Sequence, residues 1–494
     1  MTLLPCAVLL CLPFVYASLP SLNDSSVHTL DAASGNCATC PHARILPVII
    51  WSCTATLFAC AWTAVHPNIP GVGDGKFAIA SRRLLVMVMV LIAPELIITW
   101  AAAQFFSARA AAKDFNDCAF GAQRAQVHDD YIPDSTAMLL SDIQESDGRH
   151  NQSRSAPRPA KFAEWKLTHG FFAWMGGFML YVDDKPRAPL TPTELLHFVR
   201  ERYVDMPIIT EADIEDKSKD DGLSKAIAII ELVWFVLQLI ARFVQKLPIT
   251  LLEIDTLAVT ALICFSYCVW WKKPKDVRRP CIVHWKPTAP PSGLTYDEAD
   301  SRFSNGFCSP FIFRFIYPLL SSMGMGIIIS PGAAHSRRVP TLGGYGEHRD
   351  DVIQVLVGAC SAAAFGSIHL LGCKFLTNPD SDSASDLTSD QLLWFLASAA
   401  MGAVAPLFFA LVFGLKHSLR KKRVIDATRQ EITIPFLVRS IIIYYYAAGA
   451  VIYSLIYIPA RVVLVVLIIR DLALLPPTSG VYDTVAWIRF IPHL

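Results

Sequence analysis

Glu95 is the side chain in this 494-residue chain whose setting most invites chemistry. It sits beside Pro94 inside the apolar run Leu84–Phe106. An ionisable group in such a run costs about 2.5–3.5 kcal/mol on insertion scales, so its presence asks for a reason. Pro94 has no amide to donate, which leaves a helix carbonyl free next to the carboxyl. That pair could bind a cation or relay a proton; the structural alternative is a carboxyl hydrogen-bonded to neighbouring backbone. Glu231, Gln238 and Arg242 form a second set. From first to last they span about three helical turns, so all three share one face. That face is either the wall of a polar cavity or a seam of inter-helix hydrogen bonds.

His169 and His369 are candidate acid–base residues, His369 within a run rich in Ala and Gly, with a structural histidine as the alternative at each. Cys37 and Cys40 form a C-x-x-C ahead of the first long apolar run. Zinc needs about four ligands, and no second pair stands at suitable spacing. A disulfide, between these two or to Cys118, is the expectation. Gly343-Gly344-Tyr345-Gly346 lacks the lysine and spacing of a phosphate loop and is expected to be a flexible turn.

These residues need elements that hold them, and composition says what kind. Hydrophobic residues make up 53% of the chain and charged ones 17%, against about 25% charged in a soluble domain. The expected fold is mainly α, a polytopic transmembrane bundle of about seven to nine segments with a polar loop region between the second and third main spans. Residues 1–17 resemble a signal peptide, followed by a luminal segment over 18–45. Residues 46–106 hold a first transmembrane pair, Leu46–Val65 and Leu84–Phe106. Residues 107–222 form the polar loop with short helices. Residues 223–272 hold a second pair, Leu223–Val244 and Ile254–Trp271. A basic loop over 273–351 contains Phe307–Ser330, for which a span, a re-entrant hairpin and an interfacial helix all fit. Residues 352–475 supply Val352–Phe375, Gln391–Leu415, Phe436–Ile458 and Val462–Leu475, and 476–494 are a tail. In the polar loop, Thr191-Pro192 with Glu194, and Thr210 with Asp213, are helix-start signals.

Topology is contested within the sequence itself. A signal peptide places Ser18–Arg44 in the lumen, and counting spans then places Ser107–Gly222 there too. The glycosylation acceptors Asn23 and Asn151 agree with that count. The same count makes Lys272, Lys273, Lys275, Arg278 and Arg279 luminal, against the cytoplasmic preference of such clusters. One more crossing would reconcile the two, and Phe171–Val182 is the spare candidate.

Several stretches are distinctive in combination: His66-Pro67-Asn68-Ile69-Pro70-Gly71, Pro94-Glu95-Leu96, His169-Gly170-Phe171-Phe172-Ala173-Trp174-Met175-Gly176-Gly177-Phe178, Asp216-Lys217-Ser218-Lys219-Asp220, Trp270-Trp271-Lys272-Lys273-Pro274 and Ile491-Pro492-His493. The set resembles a large family of uncharacterised multi-pass membrane proteins from filamentous fungi. The resemblance implies membrane residence and fungal origin, and no established activity comes with it.

Three functions fit: a transporter- or channel-like protein using Glu95 and the Glu231 face, a membrane-embedded enzyme acting on a lipid or terpenoid through His169 or His369, or a non-catalytic scaffold. The expected partners are membrane lipids and a small-molecule or ion ligand, in the membranes of the secretory pathway. Net charge is +1, which gives no footprint for nucleic acid. No cofactor or metal is expected, and oligomeric state is left open.

Overall fold

The computed structural model describes residues 46–129, 164–218, 222–245, 249–287, 289, 291–296, 331–346, 351–374, 389–404, 406–407 and 436–473. Residues 1–45 with Asn23, Cys37 and Cys40, the acceptor Asn151, the Phe307–Ser330 segment and the tail lie outside them.

The structure is mainly helical. Among the described residues, five helices are long and apolar enough to cross a membrane, or six if one bent pair counts as a span. In order they begin with α1 (Leu46–Ala64), α2 (Lys76–Ile92) and α3 (Pro94–Asp129). A small module follows: α4 (Leu167–Trp174), β1 (Phe178–Val182), β2 (Lys185–Pro189), α5 (Pro192–Arg200) and α6 (Glu211–Lys217). Next come α7 (Gly222–Val244), α8 (Leu251–Val269), β3 (Cys281–His284) and the short α9 (Pro331–His335). The last three are α10 (Asp351–Leu370), α11 (389–404) and α12 (Phe436–Ala473). The outward faces of these helices are apolar, as lipid requires. Ile230, Phe243, Leu455 and Ile469 are each more than half exposed.

Thr191 and Glu194 cap α5 reciprocally, and Thr210 and Asp213 do the same for α6, as their spacing predicts. Thr250 and Glu253 repeat the device at the start of α8, so Glu253 is spent on a cap rather than on a cavity mouth. The Gly-rich faces of α10 and α11 meet closely: a Cβ on Gly366 would lie 2.6 Å from Gly402 Cα.

Three expectations are corrected. Phe171–Val182 is not a crossing; it is the end of α4 followed by β1, the central strand of a three-stranded sheet ordered β2-β1-β3. That sheet is hard to see in sequence because β2 (Lys-Pro-Arg-Ala-Pro) carries two prolines, which only an edge strand tolerates. The β1–β2 turn also uses Asp183 and Asp184 at positive φ, where glycine is the usual signal. The expected pair Phe436–Ile458 and Val462–Leu475 falls, as far as Ala473, on one continuous helix with Pro459 inside it. Finally, Leu84–Phe106 is two helices, α2 and α3, bent by 117° at Ala93–Pro94.

That bend sets the topology. Midway along α2, Arg83 ties it to the C-terminal end of α1, donating to Trp62 O at 3.0 Å and pairing with Asp276 at 2.7 Å. Further along, α3 has returned to the same end. Gln104 Oε1 accepts from Lys273, a Cβ on Gly170 would strike Ala108 O, and Asn116 exchanges two hydrogen bonds with the Trp165 backbone. The α2–α3 pair therefore begins and returns at one end of the bundle, as a hairpin.

The module stands at that end. Its core stacks Trp165 on Phe115 of α3, ring centroids 3.7 Å apart, with Phe172, Phe178 and Leu195 beside them. β3 joins β1 in parallel only after α7 and α8 have run out and back, since both lie between β2 and β3 in the chain. Ser218 Oγ closes the neck of this excursion, donating to Lys275 O at 3.0 Å and accepting from Lys275 N at 2.9 Å. The far end of the bundle holds the start of α1, the α7–α8 turn and Asp471, which accepts from Leu251 N.

With a re-entrant α2–α3, the basic stretch from Lys272 and the flanks of the Asn151 loop share one compartment, without an extra crossing. Asn23, which precedes α1 in the chain, would then face the other. No molecule should carry glycans at both acceptors. The check is endoglycosidase mobility of wild type, Asn23→Gln and Asn151→Gln, with the shift abolished by Asn23→Gln alone. Two additive shifts would contradict the hairpin.

Candidate functional site

A helix broken inside hydrocarbon frees carbonyls that no water can satisfy. Here Pro94 cannot donate back, and two carbonyls at the end of α2 find donors on α12 instead. Tyr457 Oη donates to Ile92 O and Arg461 Nη2 to Leu91 O, each at 3.0 Å. Arg461 brings a charge into the bundle, and Asp255 of α8 answers it: Nη1 donates to Asp255 Oδ1 at 2.6 Å. The same oxygen lies 2.9 Å from His369 Nε2 on α10. His369 is wholly buried, its Nδ1 2.9 Å from Phe365 O and its ring packed between Phe365 and Trp394. Four elements thus converge on a charged centre.

Glu95 occupies the first turn of α3, where the helix dipole favours a negative group. It is 3% exposed; neither carboxyl oxygen makes a hydrogen bond of good geometry, and the hydroxyls of Tyr453 and Tyr457 are the donors that approach it. Tyr453, Tyr457, Arg461 and His369 surround it closely enough to interact electrostatically. An unanswered carboxyl in a buried site is costly and can be offset by taking up a proton or a cation.

Of the residues singled out in sequence, the structure brings Glu95 and His369 together. It adds Arg461, which pattern reading missed, and Asp255, which the sequence places only at a polar cavity wall between the third and fourth spans. Asp255 reads as a span mouth, and Arg461 reads as a linker when α12 is split at Pro459. The Glu231 face is turned toward protein, with Gln238 half-buried and Arg242 buried. It packs with Phe235 and Leu239 against Ile49, Cys53 and Ile254, an apolar cluster apart from the one around Glu95.

His169 is structural. Its Nδ1 accepts from Lys166 N at 3.0 Å and its Nε2 donates to Ile209 O at 3.1 Å, which uses both nitrogens of one neutral tautomer. Burial lowers its pKa, in keeping with that form. Nearby, Lys166, Thr168 and Lys272 hold Glu211 down to about 2 and so fasten α6 to α4. Cys118 lies against Arg200 Nε, and its expected partners Cys37 and Cys40 fall outside the described residues.

A second polar centre sits where α3 meets the module end. Lys273 Nζ donates to His66 O at 2.6 Å, Gln104 Oε1 at 2.9 Å and Asn68 Oδ1 at 3.4 Å, under the rings of Trp100 and Trp270. Burial pushes its pKa well below the ordinary lysine value. The loop at 340–346 is clamped onto this centre, because Trp100, Gln104 and Asn68 all donate to Gly343 O. Gly344 has φ +85°, and a Cβ there would meet Trp174 O at 2.9 Å. The glycine run is therefore a docked strap, not a free turn.

A family profile described as "Family of unknown function (DUF8562)" matches residues 20–289, more than half of the chain. The match takes in Glu95, Asp255 and Lys273 and stops short of His369 and Arg461. No curated protein and no solved structure matches the chain.

Removing one partner of a buried ion pair strands the other, at a cost of about 3–5 kcal/mol. Asp255→Ala and Arg461→Leu should each destabilise on that scale, and the double variant should lose clearly less than the sum. Unfolding of the four proteins in mixed detergent measures the cycle; additive losses would show that the pair is not coupled.

Proposed function

The chain belongs to this family of unknown function, and we propose that it acts as a transporter- or channel-like membrane protein whose working site is Glu95 with Asp255, His369 and Arg461. The observation that supports this reading is the Glu95 carboxyl, buried at the bend of the α2–α3 pair with no hydrogen bond of good geometry and with Tyr453, Tyr457, Arg461 and His369 around it. Irregular backbone inside a membrane is tolerated where it lines a site, and broken helices near charged groups suit ion or proton pathways. The seven-to-nine segment count, the secretory membrane and the fungal origin implied by the motif set belong to the same proposal.

The enzyme reading is less well supported. His369, its strongest acid–base candidate, is wholly buried, its ring packed between Phe365 and Trp394. His169 is spent on holding α4 to the Ile209 backbone.

Glu95→Gln should leave expression and insertion near wild type while abolishing ion- or pH-driven flux in liposomes. Glu95→Ala, which leaves a cavity, should reduce yield as well. Equal flux in wild type and Glu95→Gln would overturn the transport role and leave a packing role.

A further inference from the structure

The donors and acceptors around His369 do not balance for a neutral ring. Nδ1 faces a carbonyl, Phe365 O, and Nε2 faces a carboxylate oxygen, Asp255 Oδ1, both at 2.9 Å. A neutral imidazole has one N–H, so either tautomer would turn a lone pair toward an oxygen; only the imidazolium donates at both. His169 is the internal contrast, with one donor and one acceptor partner.

Charge adds a constraint. Arg461 carries a fixed positive charge, and Asp255 answers it. With a proton on His369 and Glu95 ionised, the four groups sum to zero. With the proton on Glu95 and His369 neutral, they again sum to zero. The two states contain the same number of protons, and a buried site disfavours any net charge. The other groups facing the centre are the hydroxyls of Tyr453 and Tyr457 from α12, which do not change this sum while they remain neutral.

We propose that the ligand of this site is a proton with two alternative seats, His369 and Glu95, and that metal cations are excluded from it. This deepens, and rests on, the transport reading above. Moving between seats breaks an N–H bond at His369 and forms an O–H bond at Glu95, with Asp255 and Arg461 unchanged. A hard cation would need about six oxygen ligands. Here the centre offers two carboxyls, Asp255 is already engaged by Arg461 and His369, and Arg461 and the His369 ring stand beside Glu95.

Infrared difference spectroscopy of the full-length protein in detergent tests the seats. His369→Gln removes one, so the proton should settle on Glu95 and a protonated-carboxyl band should grow; the band should be absent from the Glu95→Gln/His369→Gln double variant. No gain of that band would overturn the proposal. If His369→Gln does not fold, wild type and Glu95→Gln decide it. A pH-sensitive carboxyl band present in wild type and lost in Glu95→Gln supports the two-seat proton, and identical spectra refute it. In proteoliposomes, flux should follow a pH gradient and ignore sodium or potassium gradients at symmetric pH; the reverse pattern would also refute it. Absence of all flux would count against the transport reading alone, with the carboxyl band still deciding where the proton sits.

Discussion

Arg461 is the residue on which the rest of the bundle depends. A helix that turns back inside the membrane must find donors for the carbonyls it exposes, and the hydrocarbon offers none. Arg461 and Tyr457 supply them to Leu91 and Ile92. A buried guanidinium needs a counter-charge, which Asp255 provides, and Asp255 then orients His369. Each polar group is there because the previous one required it, and Glu95 stands at the end of the sequence with no hydrogen bond of good geometry. The site is thus a product of the hairpin's geometry, and the hairpin persists because α12 clamps its tip.

The other end of the hairpin is held by different means. Lys273 ties α8 to α3 and to the turn after α1 through carbonyl oxygens and two indole faces rather than through a carboxylate. The module then closes over the neck of α7 and α8, because β3 pairs with β1 only once that helical pair has returned. Anchored at both ends, α3 cannot slide without breaking one polar centre or the other. This fixes Glu95 nine residues of helix, or roughly 13 Å, from Gln104.

Much of the helical plan was legible from sequence, and the reasons for the exceptions are physical. Long uncharged runs such as α1, and reciprocal caps such as Thr191 with Glu194, are local signals that survive folding. Glu95 announced itself as a charge in an apolar run, and His369 as a polar ring among small residues. What stayed hidden depends on contacts far apart in the chain. Asp255 and Arg461 are more than two hundred residues apart and look like span ends until they meet. Pro94 signals a break in the helix, but whether the chain continues across or turns back depends on donors that arrive with α12. The sheet was masked by the prolines of β2 and by aspartates holding a turn that glycine would normally mark.

The account stands or falls on the hairpin, and the direct measurement is labelling with an impermeant thiol reagent in sealed vesicles. Single cysteines would be placed at Lys76 before α2 crosses inward, at Lys113 after α3 has returned, and at Gln245 at the far end of α7, all exposed positions, in a background with the native cysteines removed. The account predicts that residues 76 and 113 label from the same side and residue 245 from the opposite one. Labelling of 76 and 113 from opposite sides would mean that the bent pair crosses the membrane, and would contradict it.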